Sequence, residues 1–132
     1  MSNMKKTNDC ATETKIAAYT YDSVGNEKFI SSHLKAVDGF IGDSFGEDAK
    51  YEVFVDRNGL YQNRDSFNSL MDNIRKGKYQ CLVVPTLNRI YRPEYDMDIF
   101  KKLIQEIESY GVEIMDVSEG NRHASFLKPD FT

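Results

Sequence analysis

Long apolar runs are missing from this sequence. Nothing approaches the roughly 20 residues that a membrane-spanning helix needs. The amino-terminal stretch MSNMKKTNDCATET has no apolar core of the signal-peptide kind. A cytoplasmic location is therefore expected, with no membrane partner. Cysteine is scarce as well. Two in 132 residues build no disulfide framework; Cys81 reads as a small core residue inside an apolar strand and Cys10 as part of a polar tail. The two histidines, His33 and His123, stand far apart without ligand-type spacing, which argues against a metal centre and for surface or capping roles. Basic charge is in deficit: 17 Lys and Arg face 21 Asp and Glu, for a net charge of −4. Such a chain can handle DNA only if a local patch or another domain supplies the phosphate affinity. There is no internal repeat and no low-complexity segment. What is present, 40% hydrophobic and 29% charged residues, fits one globular domain able to bury a core without staples.

The pattern along the chain alternates. Residues 1–14 are polar and aperiodic and read as a disordered arm. KIAAYTY (Lys15 to Tyr21) reads as a buried strand, and Ile30, Leu34, Val37 and Ile41 then recur at helical spacing from Glu27 to about Phe40, with Gly39 and Gly42 ending the helix. YEVFVD (Tyr51 to Asp56) is a second strand. Phe67, Leu70, Met71 and Ile74 mark a second helix, with Asp65 or Ser66 as its cap and Gly77 past its end. QCLVV (Gln80 to Val84) is the third strand. A third helix carries Ile99, Phe100, Leu103, Ile104 and Ile107, with Pro93 placed for its first turn and Gly111 as its stop. VEIMDV (Val112 to Val117) is the fourth strand. The domain is expected over 15–120, and 121–132 as a tail or the start of a truncated helix. Strands alternating with helices predict an α/β three-layer sandwich: a mostly parallel sheet of four to five strands with helices on both faces.

In such sheets, ligands bind beyond the carboxyl ends of the strands. Asp22 and Ser23 follow the first strand and Asp56 ends the second. Asn88, Arg89 and Arg92 lie beyond the third, and Glu119 trails the fourth. Taken singly, these are ordinary loop residues. Together they bring a hydroxyl, carboxylates and two guanidiniums to one edge, and that set suits a phosphate: guanidinium donors fork onto phosphate oxygens and stay charged. A serine beside them is a candidate nucleophile.

At these residues the chain resembles the catalytic domain of the serine recombinases, the resolvase–invertase and large serine integrase group. The resemblance runs from about Lys15 to Glu119. The family's first strand reads tyrosine, any residue, arginine, aliphatic, serine; here YTYDS keeps Tyr19 and Ser23 and has Tyr21 and Asp22 between them. Asp56 matches the aspartate ending the second strand, and Arg64 the arginine opening the next helix. LNRIYR keeps Leu87, Arg89 and Arg92 of the family's third-strand motif, with Asn88 in place of an aspartate, and RNGLYQ keeps only Gly59 of the loop pattern. The resemblance implies that Ser23 attacks a DNA phosphodiester to form a 5′-phosphoserine link. It implies that Arg64, Arg89 and Arg92 hold the phosphate and that Asp56 orients the arginines. It further implies that no metal or other cofactor takes part, and that subunits pair as a homodimer and then a tetramer on DNA.

The departures bear on activity. Asp22 puts a negative charge beside the serine; at about 4 Å and an effective dielectric near 20, like charges repel by roughly 4 kcal/mol. Loss of one transition-state donor costs about 3–4 kcal/mol more. Two readings stand: a recombinase catalytic domain of reduced activity, and a non-catalytic recombinase-like module that assembles with or regulates an active partner. A phosphoacceptor receiver domain would need an aspartate after the third strand, where PTLNR has none.

Overall fold

The computed structural model describes residues 15–22, 24–57 and 64–122. The expected arm and most of the expected tail, and with them Cys10 and His123, lie outside the described residues. Five strands and three helices follow in the order β1 (Ile16–Asp22), α1 (Glu27–Phe45), β2 (Tyr51–Arg57), α2 (Asp65–Arg75), β3 (Cys81–Val84), α3 (Met97–Ser109), β4 (Glu113–Asp116) and β5 (Asn121–Arg122). The sheet order is β2-β1-β3-β4-β5. The first four strands pair in parallel, and β5 adds a short antiparallel edge. This is the α/β sandwich that the alternating pattern predicts. Among the described residues no helix is long and apolar enough to cross a membrane.

β1 lies second in the sheet and every one of its seven residues is buried, as expected for a strand covered on both faces. Alternation divides its side chains. Ala17, Tyr19 and Tyr21 join the cluster formed with Phe67, Leu70 and Ile74 of α2 and Phe100, Ile104 and Ile107 of α3. Ile16 and Ala18 pack with Val37 and Ile41 of α1 on the other face, which is also the face of Thr20 and Asp22.

Three boundaries differ from the sequence reading. α1 runs through Gly39 and Gly42 to Phe45 and stops at Gly46, whose φ of 101° suits glycine. The i+4 series Val37, Ile41, Phe45 packs against the sheet, and that burial outweighs about 1 kcal/mol per helical glycine. α2 is not capped by Asp65 or Ser66: Arg64 holds the cap position without a side-chain bond, and the Asp56 carboxylate takes the free amides of Ser66 and Phe67 at 2.8 and 2.9 Å. α3 starts later than Pro93 suggests, with Asp96 capping the amides of Asp98 and Ile99.

The chain leaves β1 for β2 on one side and returns to β3 on the other, so the strand order reverses between β1 and β3. That reversal opens the crevice where α/β sheets bind ligands. It is widened here because β1 pairs with β3 only through Ile16, Ala17 and Ala18, while Pro85 follows β3 directly. Leu82 at the centre of β3 is fully buried. Leu82→Ala should lower unfolding free energy by about 2–5 kcal/mol, read as a fall in the urea midpoint at unchanged slope.

Candidate active site

Asp56, at the end of β2, is buried, and its Oδ2 accepts from the Tyr19 hydroxyl at 2.8 Å as well as from the Phe67 amide. The same hydroxyl accepts from Arg64 Nε at 3.2 Å and Nη2 at 3.1 Å. Arg64 then donates through Nη1 to the Ile90 carbonyl at 2.5 Å and through Nη2 to the Arg89 carbonyl at 3.1 Å. Its guanidinium stacks 3.9 Å from the Phe67 ring centroid and is 4% exposed as a residue. All three guanidinium nitrogens thus donate inward. Asp56 reaches Arg64 through the Tyr19 hydroxyl rather than by direct contact. Burial holds the Tyr19 phenol far above its ordinary value, against the pull of Arg64, so it stays protonated and can donate to Asp56 while accepting from Arg64.

The segment after β3 is tied from several sides. It forms a 3-10 turn at Leu87–Arg89 and plugs the core with Ile90. Asp116, buried at the end of β4, accepts from the Leu87 amide at 3.1 Å and from the Ser118 amide at 2.8 Å. The Ser118 amide also donates to the Pro85 carbonyl at 3.0 Å. Asp116 escaped the sequence reading, which named Glu119; Glu119 is exposed in the 3-10 turn Val117–Glu119. The signal was there in DVSE, an aspartate placed to cap the turn after a strand.

On this base sit the two arginines. Arg89 Nη1 donates to the Tyr21 carbonyl at 2.8 Å, and its Nε is buried with no acceptor among the described residues. A buried donor without a partner is rare in folded proteins and marks a place where a ligand or water can bind. Arg92 lies on the Tyr21 side, near enough for its charge to bear on the Tyr21 phenol. It makes a loose 3.6 Å contact with Glu94 and lies 5.9 Å from the Tyr95 ring centroid, and its side chain is 43% exposed. Such a surface pair holds its arginine weakly. Arg89 is thus bonded to the end of β1, with Arg92 three residues further along the same segment. Asn88 is exposed beside them, and Ser23 lies outside the described residues. Asp22 turns its Oδ2 onto the Asn26 amide at 2.8 Å, at the β1–α1 turn. Tyr21 is buried with its ring 5.4 Å from the Arg64 guanidinium carbon.

One residue here was read as a surface or capping histidine. His33 is half-buried on α1, and its Nδ1 shares a 2.9 Å hydrogen bond with the buried Thr20 hydroxyl. Its position between Ile30 and Val37 on the inward helical stripe was the available signal. Burial, with the Arg89 charge second, lowers its pKa, and Asp22 acts in the opposite sense. A groove of about 550 Å³ opens at the opposite end of the sheet beside Lys15, Lys50 and Lys78 and has no part in this edge.

Two outcomes follow from these contacts. Tyr19→Phe strips the shared hydroxyl from both Asp56 and Arg64 and should cost about 1–3 kcal/mol of stability in denaturant titration. The folded protein binds the His33 proton less tightly than the unfolded chain. The stability this residue contributes is therefore complete above the ordinary imidazole value of 6.5 and is lost as pH falls below it towards the lower folded value. Urea midpoints measured across that range should fall less steeply on acidification in His33→Gln.

The fold has known counterparts. The N-terminal catalytic domain of TP901-1 integrase superposes with a TM-score of 0.69 at 16% identity, over 86% of this chain and 85% of that one. A resolvase family site-specific recombinase from Streptococcus pneumoniae gives 0.62 at 23% identity, over 83% and 75%. A serine recombinase from Sulfolobus solfataricus gives 0.57 at 19%, over 86% and 73%. No curated protein sequence matches. Residues 42–128, well over half of the chain and all of them beyond β1, match the family described as "Resolvase, N terminal domain", and the chain belongs to that family.

Proposed function

We propose that this domain is the catalytic domain of a site-specific serine recombinase, cutting and rejoining DNA through a 5′-phosphoserine intermediate. The observation that carries this reading is Arg89. It is bonded through Nη1 to the end of β1, has a buried unpartnered Nε, and sits in the crevice where the strand order reverses. A phosphodiester laid across the end of β1 would meet Arg89 and Arg92. Ser23, the residue after β1, is the proposed nucleophile: its Oγ forms a bond to phosphorus, the bond from phosphorus to the 3′ oxygen breaks, and the serine proton ends on the departing 3′ hydroxyl. Fixed guanidiniums offset the charge that builds on the phosphate oxygens. Arg64 and Asp56 act mainly beneath the site, Arg64 by holding the carbonyls of Arg89 and Ile90. With a net charge of −4, the domain would draw most of its DNA affinity from elsewhere in an assembled dimer or tetramer.

The neighbours of Ser23 support reduced activity. Tyr21 stands where the family's strand has an arginine, and Asp22 adds a carboxylate. They equally favour the second reading, a non-catalytic module of a recombinase assembly. A nicked DNA substrate that traps the covalent intermediate separates the two. The intact protein on its own site should form an adduct slowly, and Ser23→Ala should form none. Tyr21 is buried against Arg64, so an arginine there would put two cations together; Asp22→Asn is the cleaner change, since it keeps an acceptor for the Asn26 amide. It should accelerate adduct formation by about tenfold to a thousandfold, corresponding to a relieved repulsion of about 1.4–4 kcal/mol. Adduct in Ser23→Ala would reassign the nucleophile, and none in either wild type or Asp22→Asn would select the non-catalytic module.

A further inference from the structure

Three successive residues of β1 hold three different partners at the crevice. The Thr20 hydroxyl holds His33 Nδ1 at 2.9 Å, the Tyr21 carbonyl holds Arg89 Nη1 at 2.8 Å, and the Asp22 carboxylate holds the Asn26 amide at 2.8 Å. Thr20 and Asp22 share the α1 face, so the imidazole and the Arg89 guanidinium converge on one strand end from α1 and from the turn after β3. We propose that His33 is a phosphate-binding residue of this edge, donating from Nε2 to a phosphodiester held by Arg89 and taking up a proton as that phosphodiester binds. This rests on the reading of the edge as a phosphodiester site.

The chemistry follows from the Thr20 contact. A hydroxyl both donates and accepts. In the neutral tautomer that carries the ring proton on Nε2, the hydroxyl donates to Nδ1. With charged His33 the hydroxyl turns and accepts from Nδ1–H. A phosphate oxygen at Nε2 selects these two forms, in which Nε2 is a donor, and a stronger one when the ring is charged. In the free protein, burial and Arg89 on the turn favour the neutral ring, against Asp22 of β1. A bound phosphodiester offsets the Arg89 charge and sets an anion against the ring, which reverses that balance. Binding and protonation are then linked, and each strengthens the other by the same factor.

The test uses the full chain and the dinucleotide phosphodiester dTpdT, whose single charge is constant where imidazole titrates. Nitrogen-detected imidazole spectra follow His33, with the other histidine, His123, as reference and His33→Gln for assignment. Saturation with dTpdT should raise the His33 pKa by about half a unit or more, so that dTpdT binds about threefold or more tighter near pH 5.5 than near pH 8. His33→Gln should weaken binding at low pH and lose that pH dependence, and Thr20→Val, which removes the orienting hydroxyl, should blunt it. Arg89→Gln should abolish binding altogether. Arg89-dependent binding that leaves the His33 titration unmoved overturns the role of His33 and leaves the phosphodiester reading standing. Absence of any Arg89-dependent binding overturns both.

Discussion

The contact between the Arg64 guanidinium and the Tyr19 hydroxyl, at 3.1–3.2 Å, ties three segments together at one buried point beyond the sheet's own pairing. Through Tyr19 it reaches β1, through Asp56 the end of β2 and the start of α2, and through the carbonyls of Arg89 and Ile90 the turn after β3. Burying a lone guanidinium is costly, and the cost is offset only where its donors and its charge are matched. Here a neutral phenol stands between the cation and its carboxylate, relaying the attraction through two hydrogen bonds. Loss of the Tyr19 hydroxyl leaves one Asp56 lone pair and two Arg64 donors without that partner inside the core. The edge is therefore built on the core rather than appended to it, and the backbone that carries Arg89 is tied directly to that core.

The order of elements and the two-faced burial of β1 were legible from the sequence, because apolar spacing records which side of each element is covered. Boundaries were less so. Gly39 and Gly42 read as stops by local propensity, yet Phe45 completes a packing series that only contact with the sheet makes decisive. The cap of α2 could not be found nearby, because its acceptor, Asp56, comes from ten positions upstream and from another element. Nothing local distinguishes a carboxylate that will serve a distant helix from one that faces water.

The candidate site divides in the same way. Arg89 and Arg92 were visible because arginines are out of place at the exit of a core strand. Arg64 was visible only through family resemblance, and nothing in the sequence announced its contacts with Tyr19 and two backbone carbonyls. Asp116 and His33 were not picked out. Each acts through a contact between segments far apart in sequence, Asp116 with Leu87 and His33 with Thr20, and such pairings appear only once the sheet order is known.

Beyond Ala18, β1 runs on for four residues without β3 beside it. At Tyr21 the place of a neighbouring strand's amide is taken by the Arg89 guanidinium. A ladder bond supplied by a side chain anchors to backbone, and a carbonyl is present whatever residue occupies the position. Position 21 is thereby released from the duty of holding Arg89. Its side chain can change without breaking that bond, so the cation beside it stays moored. In that sense the splayed strand is a tolerance device: it lets the composition of the site drift at one residue without unpicking the geometry of the next.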